Sequence, residues 1–227
     1  MLKFYFNGSP NPTKVALFLE EAALPYEAIP VDTRKGDQFK PAFAAVNPNG
    51  KVPAIVDGDV TVFDSNAILL YLAEKTGKFL PAKASDRGQL LSWLMFVASG
   101  IGPYSGQSVH FRNFAPEPKE YAVNRYTFEA QRHWGILEAR LANQQWMVGD
   151  AYGIVDMAVW GWSRLIPVAL GQDAPKQFPN LQRHLGEISA RPAAQRALAL
   201  KDKHSFKAEM DDAARIAMFP HLAKKVA

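Results

Sequence analysis

Asn47-Pro48-Asn49-Gly50-Lys51-Val52-Pro53 leads directly into the apolar run Ala54-Ile55-Val56. Asn47 to Gly50 is a turn by composition, because proline presets φ and Asn-Gly accepts positive φ. The run that follows reads as a strand, yet Pro53 stands at its mouth with no N–H for a ladder. A cis bond between Val52 and Pro53 is an economical solution, turning the Val52 amide and carbonyl outward. Such backbone at the edge of a small sheet pairs with an extended peptide by strand addition. Further on, Asp64-Ser65 immediately precedes the helical run Ile68-Leu69-Leu72. A carboxylate there suits a peptide ammonium, and a hydroxyl at a helix start suits a peptide carboxylate. The neighbourhood therefore fits a short zwitterionic peptide. The same residues read equally as an ordinary cis-proline turn followed by an ordinary N-cap.

Composition narrows the function classes. With 227 residues, 48% hydrophobic and 21% charged, the chain has globular composition and length for one or two domains. No apolar run is long enough for a membrane span. Met1-Leu2-Lys3-Phe4 opens as a strand and not as a signal peptide, so a soluble cytoplasmic protein without membrane partners is expected. There is no cysteine. That excludes disulfide staples, thiolate zinc sites and a protein thiol nucleophile; any sulfur chemistry must use a sulfur brought by a ligand. The net charge of +4 is spread along the chain with no dense basic run, which argues against a nucleic-acid partner. The five histidines, at 110, 133, 184, 204 and 221, show no metal-binding spacing, and no metal is expected.

Periodicity predicts strands at 2–6 and 26–31, a first helix from Val15 to Ala23, and a short helix over 38–45. A hairpin follows, 52–56 and 60–63 around Asp57-Gly58-Asp59, and then a helix over 65–75 stopped by Gly77. This βαβαββα order is a mixed sheet with helices on its faces. Strand signals then cease. Long helices are predicted over 90–101, 121–141 and 154–166, with shorter ones over 181–188 and 193–200. The expected division is an α/β thioredoxin-like domain over 1–80, a linker over 81–86 and an all-helical domain over 87–227. Gly153 as N-cap with Asp156 three residues on, and Tyr152 packing on Met157, reads as a stability element for a buried helix. The tail after Lys201 reads as loosely packed.

A βαβαββα module with Val52-Pro53, an acid-serine pair at 64–65 and a helical second domain resembles the cytosolic glutathione transferases. Ser9-Pro10-Asn11-Pro12-Thr13-Lys14-Val15, Lys35-Gly36-Asp37-Gln38-Phe39 and Gly106 to Phe111 with Gln131-Arg132 are similar to the bacterial nu class and its fungal nitrogen-regulator relatives. The resemblance implies a glutathione-binding thioredoxin-like domain, a homodimer, disulfide reduction with weak transferase activity, and one or two glutathiones per site. It implies that Val52, with Pro53, pairs with the cysteinyl backbone and that Asp64 and Ser65 hold the γ-glutamyl end. Gln38 and Lys51 would lie near the glycyl end. Ser9 and Asn11 would serve the sulfur, Asn11 also a second glutathione, and Arg132 that second molecule's carboxylate. Read from the residues themselves, Tyr104, His110 and Phe111 either line a second-substrate pocket or serve equally as structural aromatic packing. The chain departs from the family pattern where Ser9 replaces a common Thr, Pro12 a Gly, Asp64 a Glu, and Gly153 a Ser or Thr.

The chemistry also follows from thiol acidity. A thiol of pKa ~8.5 is only a few per cent ionised at neutral pH, and lowering it by ~2 units takes ~2.7 kcal/mol of thiolate stabilisation. The first helix start offers backbone N–H groups and its positive dipole end, with Ser9 and Asn11 adding hydrogen bonds. The thiolate then attacks a disulfide sulfur. Bland readings stand beside these: Ser9 as an N-cap, Asn11 as a loop residue bonding its own backbone, Lys51 as a solvated turn lysine. Arg125 and Arg132 share a helical face and equally form ion pairs. Conventional conjugation to electrophiles and a non-catalytic glutathione-binding regulator are the alternative functions.

Overall fold

The computed structural model describes residues 1–117 and 119–225. Contacts divide it into two compact units, Met1–Leu69 with Gln195–Ala227, and Leu70–Ala194.

The first unit is built on a four-stranded sheet of order β2-β1-β3-β4. Strand β1 (Leu2–Phe6) alternates buried and exposed positions, and α1 (Pro10–Ala22) carries the chain to the parallel strand β2 (Tyr26–Pro30). A short helix α2 (Pro41–Ala44) precedes β3 (Ala54–Asp57), antiparallel to β1, and β4 (Val60–Phe63) closes a hairpin on β3. Gly58, at φ +62°, supplies the conformation this two-residue turn demands. The core joins Phe4, Phe18, Leu17 and Ile55, all fully buried, with Ile68 and Leu69 of α3 (Ser65–Thr76). Each such side chain contributes roughly 1.5–3 kcal/mol by leaving water. The βαβαββα order matches the sequence expectation.

The segment after Lys201 is not loose. Asp32 accepts from Lys207 N at 2.7 Å, and Arg34 Nη1 donates to Lys207 O at 3.0 Å. A further helix, α11 (Asp212–Met218), begins at Asp211, whose carboxylate accepts from Ala214 N. Its charges mix without an apolar stripe, so periodicity gave no sign of this docking.

The second unit is helical: α4 (Arg87–Phe96), α5 (Gly102–Asn113), α6 (Glu120–Leu141), α7 (Ile154–Ser163), α8 (Ile166–Leu170), α9 (Pro179–Ser189) and the start of α10 (Pro192–Ala199). Between α4 and α5 lies a π-helical segment, Val97–Ile101, so the helix predicted over 90–101 continues to Asn113 through one widened turn. The helix predicted to end at 166 instead breaks after Ser163, where Leu165 leaves helical geometry before Pro167. The buried indoles of Trp134 and Trp160 donate to Ser105 Oγ (3.1 Å) and Ser189 Oγ (3.0 Å), so neither ring costs an unmet polar group.

At the start of α7, Gly153 N donates to Asp156 Oδ2 at 2.9 Å, as the spacing predicted. Asp156 Oδ1 also accepts from Met147 N at 2.8 Å and from His184 Nε2 at 2.9 Å. The Tyr152 ring meets Trp146 and Phe79, with the Arg191 guanidinium 4.4 Å from its centroid.

Candidate functional site

Strand register gathers the candidate residues of the first unit. Tyr5 pairs with Ala54, so Val52-Pro53 lies alongside the carboxyl end of β1, from which Asn7, Ser9 and α1 continue. Ala54 also pairs with Phe63, which brings Asp64 to the same end of the sheet. Three segments far apart in sequence thus converge at one sheet end.

The turn before β3 is organised by Asn47, 1% exposed. Its side-chain oxygen accepts from Asn49 N at 3.0 Å, and its amide donates to Lys51 O at 2.6 Å. Gly50 takes φ +62°. The Val52–Pro53 bond is cis, and strand pairing begins only at Ala54, leaving Val52 outside the ladder. The Val52 side chain packs against Val31, Phe43 and Ala54. Lys51 is exposed.

Asp64 sits at φ +69°, in the left-handed region that a non-glycine residue rarely occupies. The conformation has a local return: Asp64 Oδ1 caps α3 by accepting from Asn66 N (2.9 Å) and Ala67 N (3.1 Å). Asp64 is exposed, while Ser65 beside it is buried. The acid is therefore open to a ligand, and the hydroxyl stands at the first turn of a helix.

At the start of α1, Ser9 adopts N-cap geometry, yet its side chain makes no cap bond. Its hydroxyl instead donates to Asn7 Oδ1 at 2.6 Å, and Ser9 N reaches the same oxygen at 3.0 Å. Asn7, which the sequence reading did not single out, therefore holds the serine; Asn7-Gly8-Ser9 is an Asx turn, the one signal that pointed to it. The expectation of several helix-start N–H groups needs correction. Pro10 and Pro12 carry none, and Thr13 N donates to Ser9 O at 3.2 Å. Among the first three helical residues only Asn11 has a backbone N–H, and its half-buried side chain lies at the same turn.

The starts of α1 and α3 are tied by a buried lysine. Lys14, 1% exposed, donates from Nζ to Asn66 Oδ1 at 2.6 Å. Burial pushes its ammonium down to about 7, with the Asp64 carboxylate opposing. The ordinary lysine value is 10.5, so between about 7 and 10.5 the unfolded chain holds a proton that the folded chain has lost. Stability contributed here therefore rises with pH through that window, and the penalty is complete below it. Its upper bound is about 5 kcal/mol. Lys14→Met removes that penalty but strands Asn66 Oδ1, a loss of about 1–3 kcal/mol. The variant is expected to have the higher urea midpoint at about pH 7, an advantage that shrinks and reverses towards about pH 10; a gain independent of pH would contradict the assignment. Lys14 was missed because it lies inside the apolar run of α1, and only its partner 52 positions away explains it.

Gln38 stands apart from the other candidates. It is 4% exposed, and Nε2 donates to Ala217 O of the tail at 2.9 Å. Its Oε1 is buried without a partner among the described residues.

In the second unit, Phe111 stacks on Tyr126 (centroids 5.3 Å apart, 7° between planes), and His110 meets Phe111 edge-on at 5.2 Å. Phe111 also lines a cavity of about 600 Å³ with Val123, Pro167 and Val168. Tyr104 is half-buried, its ring 4.8 Å from that of His133. Arg132 and Arg125 both bind Glu129, through Oε2 at 2.9 Å and Oε1 at 2.7 Å, so the intrahelical ion pairs form. The Arg132 guanidinium bonded to Glu129 holds that carboxyl below its ordinary range.

Family models match most of the chain: glutathione S-transferase, N-terminal domain, over residues 8–75, and glutathione S-transferase, C-terminal domain, over residues 94–192. Disulfide-bond oxidoreductase YfcG of Escherichia coli (strain K12) is 41% identical over 210 residues, covering 87% of this chain and 94% of that protein. A glutathione transferase family member from Pseudomonas fluorescens pf-5, solved with two glutathione bound, superposes with a TM-score of 0.82 at 38% identity, covering 87% of this chain and 92% of that one. The Pseudomonas putida glutathione transferase, solved with one glutathione disulfide per subunit, gives 0.81 and 38%, covering 87% and 90%. The converging turn, acid-serine pair and helix start thus lie on a matched framework, and the chain belongs to the glutathione S-transferase family.

Proposed function

We propose that this protein is a glutathione-dependent disulfide-bond reductase. What carries the reading is the convergence of Val52-Pro53, Asp64-Ser65 and Ser9-Asn11 at one end of the sheet, in a chain with no cysteine of its own. Val52 pairs its backbone with the cysteinyl unit of glutathione. Asp64 takes the γ-glutamyl ammonium, and Ser65 at the start of α3 takes the α-carboxylate. Lys51 faces the glycyl carboxylate; being exposed, it adds at most about 1 kcal/mol. Gln38 braces the adjoining segment against the tail and reaches the glycyl end only by exchanging that bond.

Ser9 and Asn11 hold the sulfur as thiolate. The thiolate attacks one sulfur of a disulfide, forming a mixed disulfide and releasing the other sulfur as a thiolate that takes a proton from water. A second glutathione then displaces the remaining thiol and leaves oxidised glutathione. With 2-hydroxyethyl disulfide the expected products are two molecules of 2-mercaptoethanol and one of oxidised glutathione, identified by mass spectrometry; no rate above the uncatalysed exchange would overturn the reading. The aromatic cluster of Tyr104, Phe111 and Tyr126 favours weak conjugation of electrophiles as a secondary activity.

The homodimer is part of the same proposal. Edge strand β4 exposes Val60 and Phe63 at 44% and 43%, an apolar edge that soluble proteins usually cover. Phe63→Lys is expected to halve the mass measured by light scattering, whereas an unchanged mass would place the interface elsewhere. Among the described residues no helix is long and apolar enough to cross a membrane. The cytoplasm, where thiols stay reduced, suits the chemistry.

A further inference from the structure

Lys14 is a buried titratable group that the chemistry of the thiolate leaves unused. Its side chain is 1% exposed, and among the described residues it makes one hydrogen bond, to Asn66 Oδ1, and no ion pair. An ammonium has three N–H donors to satisfy and a neutral amine has two, so a single acceptor suits the neutral form better. Burial works in the same direction. An apolar side chain of similar length at residue 14 spares the first unit this burden. Departures from the stablest choice gather where a protein binds or reacts.

The partner of Lys14 leads to the ligand end of the sheet. Asn66 is itself 1% exposed, and its backbone N–H donates to Asp64 Oδ1 at 2.9 Å. Ala67 N donates to the same oxygen at 3.1 Å. These two bonds hold Asp64 at φ +69° with the residue exposed. Lys14 therefore braces, from inside, a residue that fixes the Asp64 carboxylate. The charged group acting on Lys14 is that same carboxylate, which favours the ammonium against burial. The first turn of α1 carries no acid; Glu20, near its far end, is bonded to Tyr26 and Arg196. Strand β1 brings Lys3 alone, and it is exposed. Asp64 thus faces one cation within the fold and is open to a second from solvent.

We propose that Lys14 is a positioning residue for the glutamyl end of glutathione: through Asn66 it sets the Asp64 carboxylate, and it releases a proton to solvent as the ligand's ammonium takes that carboxylate. This role rests on glutathione being the ligand of the first unit. Neutral Lys14 keeps its bond to Asn66, because an amine N–H still donates. Charged Lys14 competes with the incoming ammonium for one carboxylate. Affinity therefore rises with pH as Lys14 loses its proton, and binding near neutral pH drives more of that proton off. A glutathione thiol that ionises on binding releases a proton as well, so a ligand with a capped sulfur is needed to read Lys14 alone.

S-methylglutathione is that probe: it keeps the γ-glutamyl end and has no thiol. Calorimetric titration of the full chain in phosphate and in Tris counts released protons, because the two buffers take up a proton with different heats. The parent is expected to release roughly a third of a proton at about pH 7, and to bind roughly three- to tenfold tighter at about pH 8 than at about pH 6. Lys14→Met, with neither charge nor donor, is expected to release none and to lose that pH dependence. At about pH 8 it should bind roughly fivefold more weakly than the parent, the size of one lost hydrogen bond, despite its higher urea midpoint at about pH 7. A strut serving stability alone would move the two readouts together. Lys14→Gln supplies a neutral donor to Asn66; it should bind like the parent at about pH 8, release no proton, and serve where the Met variant does not fold. Parent-like proton release by either variant, unchanged affinity of the Met variant at about pH 8, or binding by the parent with no proton release would each overturn the role of Lys14 and leave glutathione as the ligand. No binding of S-methylglutathione by the parent would overturn both.

Discussion

Ser9→Ala and Asn11→Ala each slow disulfide reduction roughly 10- to 100-fold, while glutathione affinity changes by less than about threefold, because a hydrogen bond to a charged group is worth about 1.5–3 kcal/mol. The hydroxyl of Ser9 donates to Asn7 Oδ1, and a thiolate must win it from there. The exchange favours the thiolate: a neutral bond of about 1 kcal/mol gives way to a charge-assisted one roughly twice as strong. Asn11 matters for a second reason. Prolines at 10 and 12 strip the first turn of other backbone donors, so the helix start stabilises a thiolate less than a proline-free turn would. Stopped-flow turnover with 2-hydroxyethyl disulfide, paired with calorimetric glutathione binding, separates the two effects. Equal losses in rate and affinity would show that these side chains hold the peptide and not the sulfur.

Asp156→Ala lowers the unfolding free energy by roughly 3–5 kcal/mol, the loss seen when one partner of a buried charged network is removed. The carboxylate is 1% exposed and accepts from Gly153 N, Met147 N and His184 Nε2. Its removal strands two backbone donors and a fully buried imidazole. Asp156→Asn keeps the size of the side chain and is expected to lose about half as much, since an amide offers one acceptor in place of two. Urea unfolding followed by circular dichroism measures both. A loss below about 1 kcal/mol for the alanine variant would mean that water replaces the carboxylate.

Much of this arrangement could be read along the chain because it is local. Gly58 between two alternating runs specifies a hairpin, Pro53 forbids an ordinary strand entry, and Gly153 with Asp156 marks a helix start. The convergence of the candidate segments follows once the hairpin and the parallel crossover are in place, since they fix which strand ends meet. What escaped depends on pairing through space. Lys14 looks like a stray charge in an apolar helix until Asn66 is placed against it. The widened turn at Gly100 has no signal of its own, because its cause is a histidine on another helix. The break after Ser163 lies within an apolar stretch where helical periodicity continues across it. Asn7 was hidden by its neighbours, since Gly8-Ser9-Pro10 reads as a turn whichever residue precedes it.

The measurement closest to the central claim is a paired assay of one preparation, with glutathione and either 2-hydroxyethyl disulfide or 1-chloro-2,4-dinitrobenzene. A thiolate held beside a place for a second glutathione should turn over the disulfide with a kcat/KM far above that for the electrophile. Strong conjugation of the electrophile with no reduction of the disulfide would contradict the account, and glutathione binding without turnover of either would make the protein a binding module.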